Sequence, residues 1–404
     1  MDFSFNEEQK LFQKSIREWC QKELPLEKIR EMDAKGRIPR EIIKGLADMG
    51  LLLMTVPQEH GGAEADWLTA CIAAEELGYA DISIAVPVLF LVENSWGFVV
   101  DKYCNEQVRE EVIRKAIRGD AFIGIASTEA GGGSDVAAIR STGRKEGDQW
   151  VLNGEKTYIS GTEEVQQMGG GHFLLARTSQ LQPDAPHRGV TAFYLPASTK
   201  GVEIGKRMEE MGRMAISTGS ISMDNARLPD SHRLGEEGKG FYLTMEGFDN
   251  ARLLIGATCL GAAQRALEIG MDYVKERKAF GNPIGKYEGI QFDLADLWAE
   301  LEALRSLVYR VAWMNEEKYR AKRFSSLEMS KYLSAVKLKT APFAFRVFEH
   351  VLLWLGAWGY SKECPVEMGL RGIMSYYIGA EGAMNIQRII IARELLGKEY
   401  IPYK

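Results

Sequence analysis

Glu381 is the only carboxylate in a segment of mostly small and apolar residues, 376–388. Glycines and alanines on both sides of it let the backbone, and any ligand, come close to the side chain. A carboxylate with few polar neighbours has a raised pKa, as a general base that works near neutral pH requires. The segment alone is more typical of a solvated glutamate at a helix N-terminus, which the helix dipole favours. Only features elsewhere in the chain can distinguish a catalytic base from a solvated residue at a helix end.

Two further segments, 128–135 and 150–160, have the composition of loops that can bind a cofactor. The first reads TEAGGGSD and follows an apolar run that predicts a strand. Its glycines leave backbone N–H groups free to approach an anion or a flat ring, and Thr128 and Ser134 add hydroxyl donors. The second, WVLNGEKTYIS, is typical of a hairpin. Each segment alone is as consistent with a structural turn as with a binding loop.

The first two parts of the chain differ in their periodicity. Helical spacing of apolar residues predicts an N-terminal α-helical domain over residues 1–119. Short alternating runs separated by turn residues predict a middle antiparallel β-barrel-like domain over 120–238. Among those turns we expect Asn153-Gly154, and we expect the three glycines at 169–171 to form a flexible loop.

The helical period returns in residues 239–404 and predicts a C-terminal four-helix bundle. The expected helices are 241–275, 291–313, 326–354 and 381–396. The fold class is therefore α+β, without the Rossmann alternation of strands and helices.

Composition limits the compartment and the partners. The net charge of -6 gives no reason to expect nucleic acid or an anionic membrane as a partner. The five cysteines and five histidines are scattered, so we expect no disulfide framework and no metal site. No basic stretch followed by an apolar core opens the chain, and no apolar run reaches the roughly 20 residues of a membrane span. We expect a cytoplasmic protein.

Taken together, the two glycine-containing segments resemble the acyl-CoA dehydrogenase family, whose middle domain carries T-E-P-x-A-G-S-D and then Y-V-L-N-G-x-K-x-x-I-S. Residues 276–284 resemble the family's E-R-x-x-F-G-x-P-I, and 248–252 resemble its segment near bound CoA. Residues 381–393 resemble its ending, E-G-x-x-x-I-Q-R-x-x-I-A-R. The motifs occur in order and with compatible spacing over nearly the whole chain, which makes a chance match improbable.

The resemblance implies an enzyme that oxidises an acyl-CoA between its α and β carbons, with FAD as cofactor and electron-transfer flavoprotein as acceptor. It implies that Thr128 and Ser160 hydrogen-bond the flavin ring, Ser160 near N5, and that Tyr158 stacks over the ring. Arg277 would meet the FAD pyrophosphate across a subunit boundary, which implies a homo-oligomer, usually a tetramer. The remaining positions matched to FAD are Ile125, Phe280, Gln291, Gly356 and Asn385.

Glu381 aligns with the family's base, so it is expected to take the α-proton while its backbone N–H helps to hold the thioester oxygen. Some members carry the base just before the arginine of the 248–252 segment, where this chain has Ala251, which cannot accept a proton. The positions matched to substrate, including the expected wall of the acyl pocket, are Ser134, Phe248, Arg252, Phe90, Leu91, Gly379, Ala380 and Gly382.

The chain departs from the family at several positions. Ala130 replaces a proline, Leu353 and Ala357 replace the glutamine and a glycine of Q-x-x-G-G, and Ala383 replaces a threonine, so some FAD contacts must be weaker or met by other groups. Asn385 replaces a glutamine in the C-terminal FAD contacts.

The departure before the base concerns the substrate. Gly379-Ala380 stands where many straight-chain enzymes have a bulky pair, which predicts a roomy pocket and a branched, alicyclic or aromatic acyl group. No arginine stands near Val86 to hold a distal carboxylate, so a glutaryl group is disfavoured.

Three other functions remain open on the sequence. The same site can run in reverse as an enoyl-CoA reductase, and residue types do not fix the direction. A flavin monooxygenase on this fold generally lacks the glutamate base. A non-catalytic protein derived from the family is the third alternative, since fold does not determine function.

Overall fold

In the computed structural model, a mixed sheet packs against helices from the N-terminal and C-terminal parts of the chain. The structure describes residues 4–400, except for the side chain of Lys398. The N-terminal helices are α1 (Glu7–Glu23), α2 (Leu26–Lys35), α3 (Arg40–Asp48), α4 (Trp67–Ala80), α5 (Ala85–Tyr103), α6 (Glu106–Val108) and α7 (Arg114–Ile117). A π-helical turn at 109–113 joins the last two. Helix α5 is apolar on nearly all sides and almost wholly buried, as is typical of a central core helix.

The middle part is an eight-stranded sheet with one short helix. Its elements are β1 (Phe122–Ala126), β2 (Thr142–Glu146), β3 (Gln149–Ser160), α8 (Thr162–Met168), β4 (Gly170–Arg177), β5 (Val190–Pro196), β6 (Val202–Ile204), β7 (Thr218–Pro229) and β8 (Arg233–Leu234). The order β6-β7-β3-β2-β4-β5-β8 runs through the sheet, and β1 pairs with β4. The sheet is mixed rather than wholly antiparallel, because β1 and β2 both run parallel to β4.

Alternation along the strands divides the core in two. In β4, Phe173 and Leu175 pack with the helices, whereas Leu174 and Ala176 belong to a second cluster that only the strands enclose. This period of two is what a strand buried on both faces requires. The second cluster gives the middle part a core of its own, as a separate β domain requires.

Two predicted turns are wrong. Asn153-Gly154 lies inside β3, where the pairing with β7 shifts register between Leu152 and Gly154. The predicted loop at 169–171 is largely the start of β4. A side chain at Gly170 would come within 2.1 Å of the Phe122 carbonyl oxygen and one at Gly171 within 2.2 Å of the Leu195 carbonyl oxygen, so these two glycines serve close strand packing and not a loop.

The C-terminal part consists of helices α9 (Gly240–Glu276), α10 (Glu288–Arg320), α11 (Ser326–Leu355), α12 (Pro365–Ile378) and α13 (Met384–Leu396), with the short strands β9 (Lys278–Ala279) and β10 (Asn282–Pro283) between the first two. The order of a helical, a β and a second helical part is confirmed. The predicted last helix was too long at its start: α13 begins at Met384, and Glu381 lies in the loop after α12, a helix that the sequence analysis did not identify. No helix within residues 4–400 is both long enough and apolar enough to cross a membrane.

Candidate active site

A cavity of about 980 Å³ opens between the sheet and the C-terminal helices. Its size is at the upper end of ligand-binding pockets. The predicted site residues that line it are Ile125, Thr128, Ser134, Tyr158, Ser160, Phe248, Arg252, Gly379, Ala380, Glu381 and Gly382. The glycine-containing loops and the C-terminal segment, which are far apart in sequence, therefore meet at one cavity.

The other predicted residues lie elsewhere. Phe90 and Leu91 are buried in the helical core, and α5 contributes Val92 to the cavity instead. Four positions matched to FAD are exposed on the surface and do not line the cavity: Arg277, Phe280, Gln291 and Gly356. Asn385 is also exposed, and its side-chain oxygen accepts a hydrogen bond from Arg388 at 2.9 Å.

An ion pair fixes the two glycine-containing segments against each other. Lys156 is fully buried in β3, and its ammonium group lies 2.7 Å from the Glu129 carboxylate. Glu129 also accepts backbone hydrogen bonds from Arg140 and Ser141 at 2.7 and 2.9 Å. A direct backbone bond of 2.9 Å from Thr157 to Thr128 completes the connection. These bonds hold the Thr128 and Ser160 hydroxyls on one wall of the cavity.

The loop that carries Glu381 is shaped by Gly382. This glycine has φ of 93°, a left-handed value that L side chains rarely adopt, and the chain turns there before α13 begins. A Cβ at Gly382 would lie 2.9 Å from the side-chain nitrogen of Gln387. The turn separates Glu381 from the helix, so the carboxylate is not a helix N-cap.

Donors from two other helices hold the carbonyl groups of this loop. The Arg252 guanidinium, on α9, donates to the Glu381 carbonyl at 3.1 Å, and the Lys337 ammonium, on α11, donates to the Gly382 carbonyl at 2.6 Å. Gln387 donates to both carbonyls, at 3.4 and 3.1 Å. Among the described residues, no acceptor takes a hydrogen bond from the Glu381 backbone N–H. That N–H is free to donate to a substrate oxygen, as an oxyanion site requires.

Burial raises the pKa of Glu381 from 4.5 to about 7. The positive charges of Arg252, Lys337 and Arg213 oppose this rise. The Trp96 indole N–H also lowers the pKa, although it makes no hydrogen bond of ordinary geometry. The carboxylate is thus poised to take or release a proton near neutral pH. Ala251, at the alternative base position, is fully buried in α9.

Three residues of this environment were missed by sequence reasoning. Trp96, Arg213 and Lys337 belong to different elements and come together only in the fold. Trp96 and Lys337 lie in helices that read as plain core, and no local pattern marks them. A signal existed for Arg213, because an arginine that directly follows a glycine in a loop between strands is a reasonable candidate for a binding role.

The residues that line the cavity fit a flavin. Tyr158 is 70% exposed there, which is unusual for a large aromatic side chain. A flavin ring stacked on Tyr158 would cover it. The hydroxyl of Thr128 makes no hydrogen bond with the described residues, and that of Ser160 only accepts one, so both retain a free donor. Gly131 and Gly132 have no atoms within 4 Å of an added Cβ, so a ligand can approach this turn closely, although the Gly132 N–H already donates to the Glu129 carbonyl at 3.0 Å.

Comparison with known proteins agrees with this geometry. Family models for the N-terminal, middle and C-terminal domains of acyl-CoA dehydrogenases match residues 6–120, 124–226 and 238–396. The chain belongs to the acyl-CoA dehydrogenase family. Members of this family are FAD-dependent oxidoreductases, which confirms the family, the fold and the FAD cofactor expected from the sequence.

The relatives of the chain within the acyl-CoA dehydrogenase family match it along almost its full length. An acyl-CoA dehydrogenase of Bacillus subtilis (strain 168) is 33% identical over 97% of this chain and 98% of its own. The caffeyl-CoA reductase-Etf complex subunit CarC of Acetobacterium woodii is 31% identical over 98% of this chain and 100% of its own. The structure of butyryl-CoA dehydrogenase from Megasphaera elsdenii superposes with a TM-score of 0.88 at 28% identity, covering 98% of this chain and 100% of that one.

Proposed function

We propose that the protein removes the α-proton of an acyl-CoA thioester with Glu381 and forms an α,β double bond in the acyl group. The observation that carries this proposal is the placement of a carboxylate with pKa of about 7 in the cavity, beside a free backbone N–H of the same residue. The N–H would polarise the thioester oxygen and so acidify the α C–H, while the carboxylate takes the proton. FAD, when bound, accepts the hydride from the β carbon.

The flavin side of the cavity is assigned to Thr128, Tyr158 and Ser160, and the CoA arm to Ser134, Phe248 and Arg252. Their positions on the cavity walls support these roles. We assign Arg277 and Phe280 to FAD bound by a neighbouring copy in a homotetramer. In support, Phe280 is 95% exposed, which a contact with a second chain would relieve.

We further propose that the acyl group is bulky: branched, alicyclic or aromatic. Gly379 supports this, because a Cβ added there would meet no atom within 4 Å. Its φ of -147° lies outside the left-handed region that favours glycine, so a side chain at this position would not be strained by a positive φ. The relative named caffeyl-CoA reductase also points to an aromatic acyl group.

The electron acceptor that we propose is electron-transfer flavoprotein, and the compartment is the cytoplasm. A relative that is a subunit of an Etf complex supports this acceptor. The name of that relative also favours a second candidate function, reduction of an enoyl-CoA by the same residues in reverse. Mixing the purified protein with acyl-CoA or, after reduction, with the matching enoyl-CoA measures which direction is faster.

The test is a spectrophotometric panel on the FAD-loaded protein with a dye acceptor, comparing cyclohexanecarboxyl-CoA, isobutyryl-CoA and butyryl-CoA. We expect the two bulkier substrates to react with higher kcat/KM. Gly379→Tyr, which refills the open space, should reverse this preference while the flavin remains bound. A preference of the wild-type protein for butyryl-CoA by about tenfold, or about 1.4 kcal/mol in transition-state binding, would refute the roomy pocket. The proposed reaction itself would be refuted if the protein bound no FAD, or if no acyl-CoA bleached the absorbance of its flavin.

A further inference from the structure

A buried arginine reaches into the cavity from the loop between β6 and β7. Arg213 lines the cavity and is only 8% exposed. Its guanidinium donates to the Ser160 hydroxyl oxygen at 3.0 Å, to the Glu210 carboxylate at 2.9 Å and to the Thr218 hydroxyl oxygen at 3.0 Å. The Arg213 Nε is buried and has no partner among the described residues. A guanidinium keeps its positive charge at every pH at which proteins fold.

The contact with Arg213 restricts what the Ser160 hydroxyl can do. A guanidinium has donors only, so the Ser160 oxygen must be the acceptor in their hydrogen bond. A hydroxyl has a single hydrogen to donate, and the Ser160 hydroxyl makes no other hydrogen bond with the described residues. Since Ser160 lines the cavity, this hydrogen is available to a ligand there.

The same arginine also acts on the base. Its charge is one of those that lower the pKa of Glu381. In the proposed reaction the α C–H bond breaks as its proton passes to Glu381. The β C–H bond breaks as its hydrogen and electron pair pass to flavin N5, and the carbon–carbon double bond forms. The hydride acceptor must therefore lie across the substrate from Glu381 in the same cavity, which Ser160 and Arg213 also line.

We propose that Arg213 is a positioning residue that turns the Ser160 hydroxyl toward the flavin and places a positive charge beside the flavin's reacting edge. The inference rests on the proposed function, because it needs FAD in this cavity. A fixed positive charge stabilises the negative charge that FAD gains when it is reduced, so Arg213 raises the midpoint potential of the bound flavin. The backbone of Arg213, at φ of 49°, is in a region uncommon for non-glycine residues, as often occurs at functional sites.

A purely structural role would have different consequences. Arg207, on the same loop, donates to the carbonyls of Gly36 and Met214 and pairs with Glu163, and it does not line the cavity. It therefore holds the loop from the other side. Arg207→Gln is the matched control, because it removes a loop-stabilising arginine without changing the charge on the cavity wall.

The experiment measures the midpoint potential of FAD in the holoprotein by equilibration with a reference dye. We expect Arg213→Gln to make the bound flavin harder to reduce by at least tenfold in the equilibrium constant, about 30 mV for a two-electron couple. Arg213→Lys should stay closer to wild type because it keeps the charge. Arg207→Gln should be less stable to heat but unchanged in potential.

Ser160→Ala is the second variant, since it leaves Arg213 in place and removes the hydroxyl. We expect a lower potential in this variant as well, and a smaller further effect when Arg213→Gln is added. A wild-type potential in Arg213→Gln, or in Ser160→Ala if Arg213→Gln does not hold FAD, would overturn the inference. A variant whose potential can be measured still binds FAD and can be tested for bleaching by acyl-CoA, so that outcome is distinct from failure of the proposed reaction.

Discussion

Replacing Glu381 with glutamine should stabilise the folded protein at alkaline pH while it removes the proposed base. The carboxyl group has a pKa of about 7 in the folded protein against 4.5 when free, because burial disfavours its charge. Each pH unit between these two values is worth about 1.4 kcal/mol. Ionised Glu381 therefore costs the folded state about 3 kcal/mol above pH 7, and the neutral glutamine does not carry this cost.

The sign follows from proton binding in the two states. Between the two pKa values the folded state keeps the Glu381 proton and the unfolded state has lost it, so the stability of the wild-type protein falls as pH rises through this window. Below pH 4.5 both states are protonated and the cost disappears. The advantage of Glu381→Gln is therefore near zero at low pH, grows between pH 4.5 and 7, and is constant above that.

The assay is urea denaturation of wild type and variant at a series of pH values, with the free energy of unfolding compared at each pH. Glu155→Gln is the control, because Glu155 is exposed and its side chain makes no hydrogen bond or ion pair with the described residues. We expect no pH-dependent difference for that control. A difference between Glu381→Gln and wild type that does not change between pH 5 and pH 8 would refute the burial of this carboxylate.

Two further predictions concern the same loop. Lys337→Met removes a positive charge that lowers the pKa of Glu381, so the acid limb of the pH profile of kcat/KM should move upward from about pH 7. An acid limb that stays in place would show that the Lys337 charge does not affect the pKa of Glu381. Gly382→Ala puts a Cβ 2.9 Å from the Gln387 side chain, on a backbone with φ of 93°. Activity measured by turnover should therefore fall at least roughly tenfold, while flavin absorbance shows that FAD is still bound. Full activity would contradict the role of the turn.

Much of the fold could be predicted from the sequence because its signals are local. The change from helical to alternating periodicity near residue 120, and back near 239, follows from which side chains must be buried in each element. The turn predictions failed where a local composition served a distant contact. Gly170 and Gly171 must be small because neighbouring strands pack closely on them, and no sequence window contains that information.

In the candidate site, too, residues in contiguous motifs could be predicted and residues brought together only by the fold could not. Glu381 and the loops of Thr128 and Ser160 could be identified because their motifs are contiguous. The groups that set the chemistry of the base could not, because Trp96, Arg213 and Lys337 come from α5, a loop of the sheet and α11. Their effect depends on distance and burial in the folded chain, which residue types alone do not determine.

The environment of Glu381 is a balance between opposing effects, and this balance explains why several cations surround one carboxylate. A fully solvated glutamate would keep a pKa of 4.5 and be too weak a base, whereas burial without partners would leave it protonated at neutral pH. Arg252 and Lys337 hold the loop through its carbonyl groups, so their charges lie near the carboxylate without pairing directly with it. A direct ion pair would lower the pKa further and occupy the oxygen that receives the α-proton in the proposed reaction. The Lys337 ammonium shares the burial, which lowers its own pKa to about 8, so this cation and the proposed base titrate in neighbouring pH ranges.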